Sequence, residues 1–185
     1  MKVITFSRTF PKTHPRAGEP TYFMERIWKM LNTGNLRDRE YSVWANVPRK
    51  MKDGHWQLPH LWRDQMADDN FFPKFHTIRA GNRWKVGELF SPRVWSGKPY
   101  VSKQIEFAPP IKIEKIWDIS IKIVNGEDVT AKLNNRSILL QDLMPIALND
   151  GLELNDFVAW FNNHPKKKEQ VFTGQIICWN PDLNY

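Results

Sequence analysis

One cysteine, Cys178, stands in a chain of 185 residues. It cannot close a disulfide within the chain, nor by itself build a thiolate zinc site. Long apolar runs are missing as well. Stretches such as Ile138-Leu139-Leu140 fall far short of the roughly 20 residues a membrane-spanning helix needs, so no membrane association is expected. The opening Met1-Lys2-Val3-Ile4-Thr5-Phe6-Ser7-Arg8 has neither the apolar core nor the small-residue cleavage site of a secretory signal, and a cytoplasmic protein is expected. The patterns H-E-x-x-H, P-loop, G-x-G-x-x-G and G-x-S-x-G do not occur. The five histidines (14, 55, 60, 76 and 164) are scattered, and Pro59 separates His55 from His60, so they form no helical ligand pair. No metal and no cofactor is therefore expected.

What the chain does have is aromatic bulk and a lopsided charge. Nine of its residues are Trp, and 41% are hydrophobic, enough to build a packed core and to exclude general disorder. The net charge is +7. Residues 1–110 carry 19 basic and 10 acidic residues, whereas residues 111–185 carry 8 and 10. All the excess positive charge thus sits in the N-terminal part, where it favours a polyanion such as nucleic acid. A basic surface kept for solubility has the same composition.

Periodicity and turn signals sketch the organisation. Val3–Phe6 predicts a strand, and Pro11–Pro20 a loop. Phe23, Ile27, Met30 and Leu31 recur at helical spacing after the capping residue Thr21, and Gly34 ends that helix. Residues 35–73 read as an insertion with little regular structure inside a single domain spanning 1–185, with a short helix at Leu61–Asp69. Strands are expected at Phe75–Arg79, Val86–Trp95, Gln104–Phe107, Ile111–Val124, Val129–Leu133 and Val171–Trp179. The pair Asn125-Gly126 signals a type I′ hairpin. Ser137–Leu148 and the segment around Phe157, Trp160 and Phe161 read as helices, and Lys166–Lys168 as a basic loop. The fold class expected is α+β: mixed, mostly antiparallel strands curved into a small barrel with flanking helices.

The densest chemistry lies in Lys74-Phe75-His76-Thr77-Ile78-Arg79-Ala80-Gly81-Asn82-Arg83-Trp84-Lys85. Cations suit phosphates and flat rings suit unstacked bases, so Arg79, Arg83, Trp84 and Lys85 are candidate nucleic-acid contacts. Trp95, Lys98, Tyr100 and Lys103 continue the mixture. An ordinary basic hairpin with inward aromatics has the same pattern. In the insertion, Trp44, Trp56 and Trp62 are candidates for a protein-partner surface or for caps on the core.

Three pieces in order resemble the ASCH superfamily, whose fold is similar to that of the PUA domain. They are Ile4-Thr5-Phe6 followed by a helix; Lys74-x-x-Thr77-Ile78-Arg79 with Trp84-x-x-Gly87-Glu88; and Ala147-x-Asn149-Asp150-Gly151 followed by Phe157, Trp160, Phe161 and a closing strand. The resemblance covers roughly residues 1–34 and 74–180. It implies a PUA-like curved β-barrel with a basic, aromatic cleft that binds RNA or a modified nucleoside.

One branch of that superfamily consists of small N4-acetylcytidine amidohydrolases. The resemblance then implies a catalytic trio of Lys74, Thr77 and Asp150, with Asp150 where that branch carries Glu. The long insertion also departs from that branch. In such a trio Thr77 is the nucleophile, Lys74 accepts its proton, and Asp150 orients Lys74 or shuttles the proton. Regular strand alternation would send residues 74 and 77 to opposite faces, so the trio requires Lys74 to precede the strand, as Pro73 suggests. A ribonuclease using the same cleft would draw on His76 as acid or base.

Overall fold

A computed structural model describes residues 1–32, 49–50, 56–57, 71–126, 128–164 and 167–185. In chain order they form β1 (Lys2–Thr5), α1 (Phe23–Asn32), β2 (Arg49–Lys50), β3 (Trp56–Gln57), β4 (His76–Ala80), β5 (Leu89–Trp95), β6 (Gln104–Glu106), β7 (Ile111–Lys112), β8 (Lys115–Val124), β9 (Asp128–Leu133), β10 (Arg136–Ile138), α2 (Leu140–Asn149), α3 (Leu154–Phe161) and β11 (Glu169–Cys178). The chain is thus mixed α+β, with antiparallel pairing dominant. Most of the expected insertion, including Trp44, Trp62 and the helix at Leu61–Asp69, lies outside the described residues. Two compact units emerge, one drawn from residues 1–8, 22–73 and 89–111, the other from 9–21, 74–88 and 112–185.

In the first unit β1 runs parallel to β5, with Lys2 opposite Phe90 and Thr5 opposite Arg93. β6 pairs antiparallel on β5. Along α1, Phe23, Ile27 and Trp28 are buried, as the helical spacing demands. Trp28 Nε1 donates to Phe107 O at 2.8 Å, which satisfies the one polar atom that this indole takes into the core. Phe6 and Phe107 meet edge to face at 5.7 Å.

The second unit is built on a five-stranded antiparallel sheet ordered β10-β9-β8-β11-β4. Alternation along β8 buries Ile119, Ile121 and Ile123, matched by Ala131 and Leu133 on β9. α2 packs on β9 and on α3, and contributes Leu143, Ile146 and Ala147 to the buried set. The β8–β9 turn has Asn125 at φ 52° and Gly126 at φ 80°, the left-handed signs of a type I′ pair, but Val124 pairs with Asp128, one residue beyond the two-residue hairpin expected.

Two elements differ from expectation. The expected strand Ile111–Val124 is interrupted between β7 and β8. There Ile113 leaves the run to exchange backbone hydrogen bonds with the turn at Gly87 and Glu88. Ser137 does not start a helix but lies in β10, paired with Lys132. The hairpin before it turns on Asn134 and Asn135 at φ 47° and 65°, a left-handed pair that Asn tolerates.

Candidate functional site

The centre of the candidate site is made where α2 ends beside the entry to β4. The helix finishes in a Schellman arrangement. Gly151, at φ 81°, donates to Leu148 O at 2.9 Å, and Leu152 donates to Ala147 O at 3.0 Å. This places Asp150 at the C-cap. An aspartate there is electrostatically the wrong sign, because the helix C-terminus already carries partial negative charge. Lys74 supplies the missing cation. Its Nζ lies 2.6 Å from Asp150 Oδ1 and also donates to the Asp150 carbonyl.

The sequence positions Lys74 for this. Phe75 N donates to Asn149 O at 2.8 Å, and Trp179 N donates to Phe75 O at 3.1 Å. Trp179 Nε1 in turn donates to Lys74 O. Residues 74 and 75 are therefore held between the end of α2 and the end of β11, just ahead of β4. Both Lys74 and Asp150 are buried. Burial on its own would push the Asp150 carboxyl up. The Lys74 ammonium and the His76 ring outweigh it and hold the carboxyl below its ordinary range.

His76 completes the cluster. It is fully buried, its Nδ1 stands 3.6 Å from Asp150 Oδ1, and among the described residues neither ring nitrogen has a partner in hydrogen-bond geometry. Burial lowers its pKa from the ordinary histidine value, with Asp150 opposing and Lys74 reinforcing the shift. The imidazole is thus neutral beside an ionised carboxylate. A buried polar group left in this way calls for an explanation, and polar work at a site is one.

Of the three residues that the resemblance marks as catalytic, Lys74 and Asp150 are therefore in contact. Thr77 is buried in β4, opposite Ile177. Strand alternation sends it to the face opposite that of its neighbour His76, which faces Asp150. The residue that joins Lys74 and Asp150 is His76.

The candidate nucleic-acid contacts divide by exposure. Arg83 and Lys85 are exposed, and Arg79 is half-buried. Trp84 is buried, at 3% exposure, so its ring is not an open stacking platform. Gln175 holds its backbone, accepting from Trp84 N at 3.1 Å. The Arg83 guanidinium lies 5.6 Å from the Trp84 ring centre. Lys98 belongs to the first unit. There it is exposed in the turn after β5, together with Lys103 and with Tyr100, which is 90% exposed and 5.5 Å from the ring of Trp95.

One part of the site carried no signal in the sequence. The Tyr185 ring sits against His76 and Trp117, brought there by chain that follows the last strand. Among the described residues no group of three or more His, Cys, Asp or Glu is placed to hold a metal. No helix among them is long and apolar enough to cross a membrane. Set against family models, curated proteins and solved structures, the chain matches none.

Proposed function

We propose that this chain is an ASCH-type, PUA-like domain that binds RNA or a modified nucleoside through basic and aromatic residues. The PUA-like barrel is part of the same proposal. The observation that carries it is the contact between Lys74 and Asp150. These residues come from the second and third pieces of the resemblance, 76 positions apart, and they meet as a buried charged pair. Such a pair is weak support for stability, since apolar residues of similar volume often serve as well. At a helix C-terminus it breaks a local rule, and such breaks gather at functional sites. In the second unit the exposed cations Arg83 and Lys85 supply phosphate contacts; in the first, taken by itself, the exposed Lys98 supplies a further cation and the exposed Tyr100 a face for a base.

Titration of a fluorescent single-stranded RNA at two salt concentrations tests this. Affinity is expected to fall steeply with salt, with the slope reduced by about 0.7 for each phosphate-contacting cation removed. Salt-insensitive affinity, or none, would remove the proposal.

The second reading is an amidohydrolase that removes the acyl group from N4-acetylcytidine or a similar N-acylated pyrimidine nucleoside through Lys74, Thr77 and Asp150. The Lys74–Asp150 contact favours it, and the place of Thr77 on the other face of β4 counts against it. Release of cytidine from N4-acetylcytidine, lost in both Lys74→Ala and Thr77→Ala, is the outcome this reading requires. Release that survives Thr77→Ala would remove Thr77 as nucleophile.

A further inference from the structure

The chain beyond β11 turns back onto the cluster just described. The Tyr185 ring stands edge-on to His76, with centres 5.7 Å apart and planes at 78°. On another side it meets Trp117 at 5.0 Å and 67°. Asn149 Nδ2 donates to its hydroxyl at 3.0 Å. Two residues hold the tail in place by their backbone and side chain: Lys115 Nζ donates to Leu183 O at 2.8 Å and to Asn184 Oδ1 at 2.7 Å. Tyr185 thus takes an amide donor and two aromatic contacts, and the two residues before it take a cation.

Each of those contacts is also a contact for a nucleotide. Two aromatic rings set edge to face against one planar guest also suit the flat aromatic ring of a nucleobase. The Asn149 amide, here donating to a hydroxyl oxygen, can donate equally to the carbonyl oxygen of a pyrimidine. The Lys115 ammonium, here bonded to two neutral oxygens, has the chemistry of a phosphate ligand. Asn149 adjoins Asp150, and the Tyr185 ring touches His76, so the place of that ring borders the Lys74–His76–Asp150 cluster.

We propose that Tyr185 is an internal stand-in for a base: its ring fills a slot for a pyrimidine nucleotide, and binding displaces the tail, freeing Asn149 for the base and Lys115 for the phosphate. This rests on the binding function proposed above and names its ligand and its gate. A closed tail lowers apparent affinity by the fraction of molecules that are open. Removing the ring removes that penalty.

The test uses the full chain with Tyr185→Ala, and cytidine monophosphate and a short cytidine-rich single-stranded RNA as probes. If the closed tail outweighs the open one by about ten to one, Tyr185→Ala binds about tenfold more tightly than the unaltered chain. A second measurement guards against a variant that folds poorly. In the unaltered chain labelled with 3-fluorotyrosine, the Tyr185 fluorine resonance, assigned by its loss in Tyr185→Phe, is expected to move towards its solvent-exposed position as nucleotide is added. A response to both probes identifies a free nucleotide as sufficient, and a response to the RNA alone identifies a nucleotide within a strand. If the unaltered chain binds either probe while the resonance stays put and Tyr185→Ala binds no more tightly, the gate is wrong and the binding function stands. If neither protein binds either probe, both fall.

Discussion

Lys74 Nζ and Asp150 Oδ1 lie 2.6 Å apart, in a pair buried at both ends. Removing one partner of such a pair leaves an uncompensated charge in low dielectric, whereas removing both does not. Lys74→Met is therefore expected to destabilise the protein by about 3–5 kcal/mol in chemical denaturation. The double variant Lys74→Met with Asp150→Asn, which leaves a neutral side chain at the C-cap, is expected to lose less than Lys74→Met alone. A double-variant loss equal to the sum of the losses in Lys74→Met and in Asp150→Asn would mean that the two groups are not coupled.

Acid should unfold this protein through the same cluster. The His76 pKa lies below its ordinary value of 6.5 in the folded state, and that of Asp150 lies below 3.8. In both cases the unfolded chain binds protons more readily. The stability they contribute is thus present above those ordinary values and is lost as pH falls towards the folded ones. Through these two groups, melting temperature is expected to fall as pH drops below 6.5 and to fall again below 3.8. His76→Gln should flatten the first decline. A first decline that His76→Gln leaves unchanged would place its origin elsewhere.

Gly174 in β11 faces β4 so closely that a Cβ built on it would stand 2.1 Å from Arg79 O. The obstruction is backbone within a sheet ladder, which cannot turn aside. Gly174→Ala is expected to destabilise by at least the roughly 1–3 kcal/mol typical of overpacking, measured by urea denaturation. On the proposed RNA-binding function it should also weaken RNA binding, because β4 holds His76 of the candidate site. A stable, fully active Gly174→Ala would contradict this account of the β4–β11 approach.

On the proposed RNA-binding function, the exposed Tyr100 is the aromatic available to stack on a base, whereas Trp84 is buried. Tyr100→Ala is expected to weaken RNA binding by about 1–3 kcal/mol, the usual range for losing one base–aromatic stack. It should leave stability within roughly 0.5 kcal/mol, since the side chain is exposed and Ala bears the same left-handed backbone, φ 63°, that Tyr100 already has. Trp84→Ala, by contrast, should cost about 3–5 kcal/mol of stability. Paired denaturation and binding curves separate the two effects, and unaltered affinity in Tyr100→Ala would exclude the stack.

Much of the second unit could be read from the chain itself, because its signals are local. Asn125-Gly126 marked its own hairpin, and the alternating isoleucines at 119, 121 and 123 marked the buried face of β8. The turn at Asn134-Asn135 lacks the glycine that announces such hairpins, so Ser137 was absorbed into the helix that follows. The break at Ile113 comes from pairing with Gly87 and Glu88, a contact that no run of residues 111–124 encodes. In the site, Lys74 and Asp150 were legible through the motifs that carry them. The role of His76 was only half legible: strand alternation puts it, and not Thr77, on the Asp150 side. Tyr185 was not legible at all, since nothing in a sequence tells which buried cluster a distant tail will cover.

The most direct test follows backbone amide resonances of the labelled protein as a cytidine-containing single-stranded RNA is added at low and at moderate salt. The expected result is a salt-sensitive set of shifts that includes Phe75 to Lys85 and Asn149 to Gly151, weakened in Arg83→Ala and Lys85→Ala. Shifts that avoid both segments, or a spectrum that RNA leaves unchanged, would contradict the assignment of this protein as a nucleotide-binding domain.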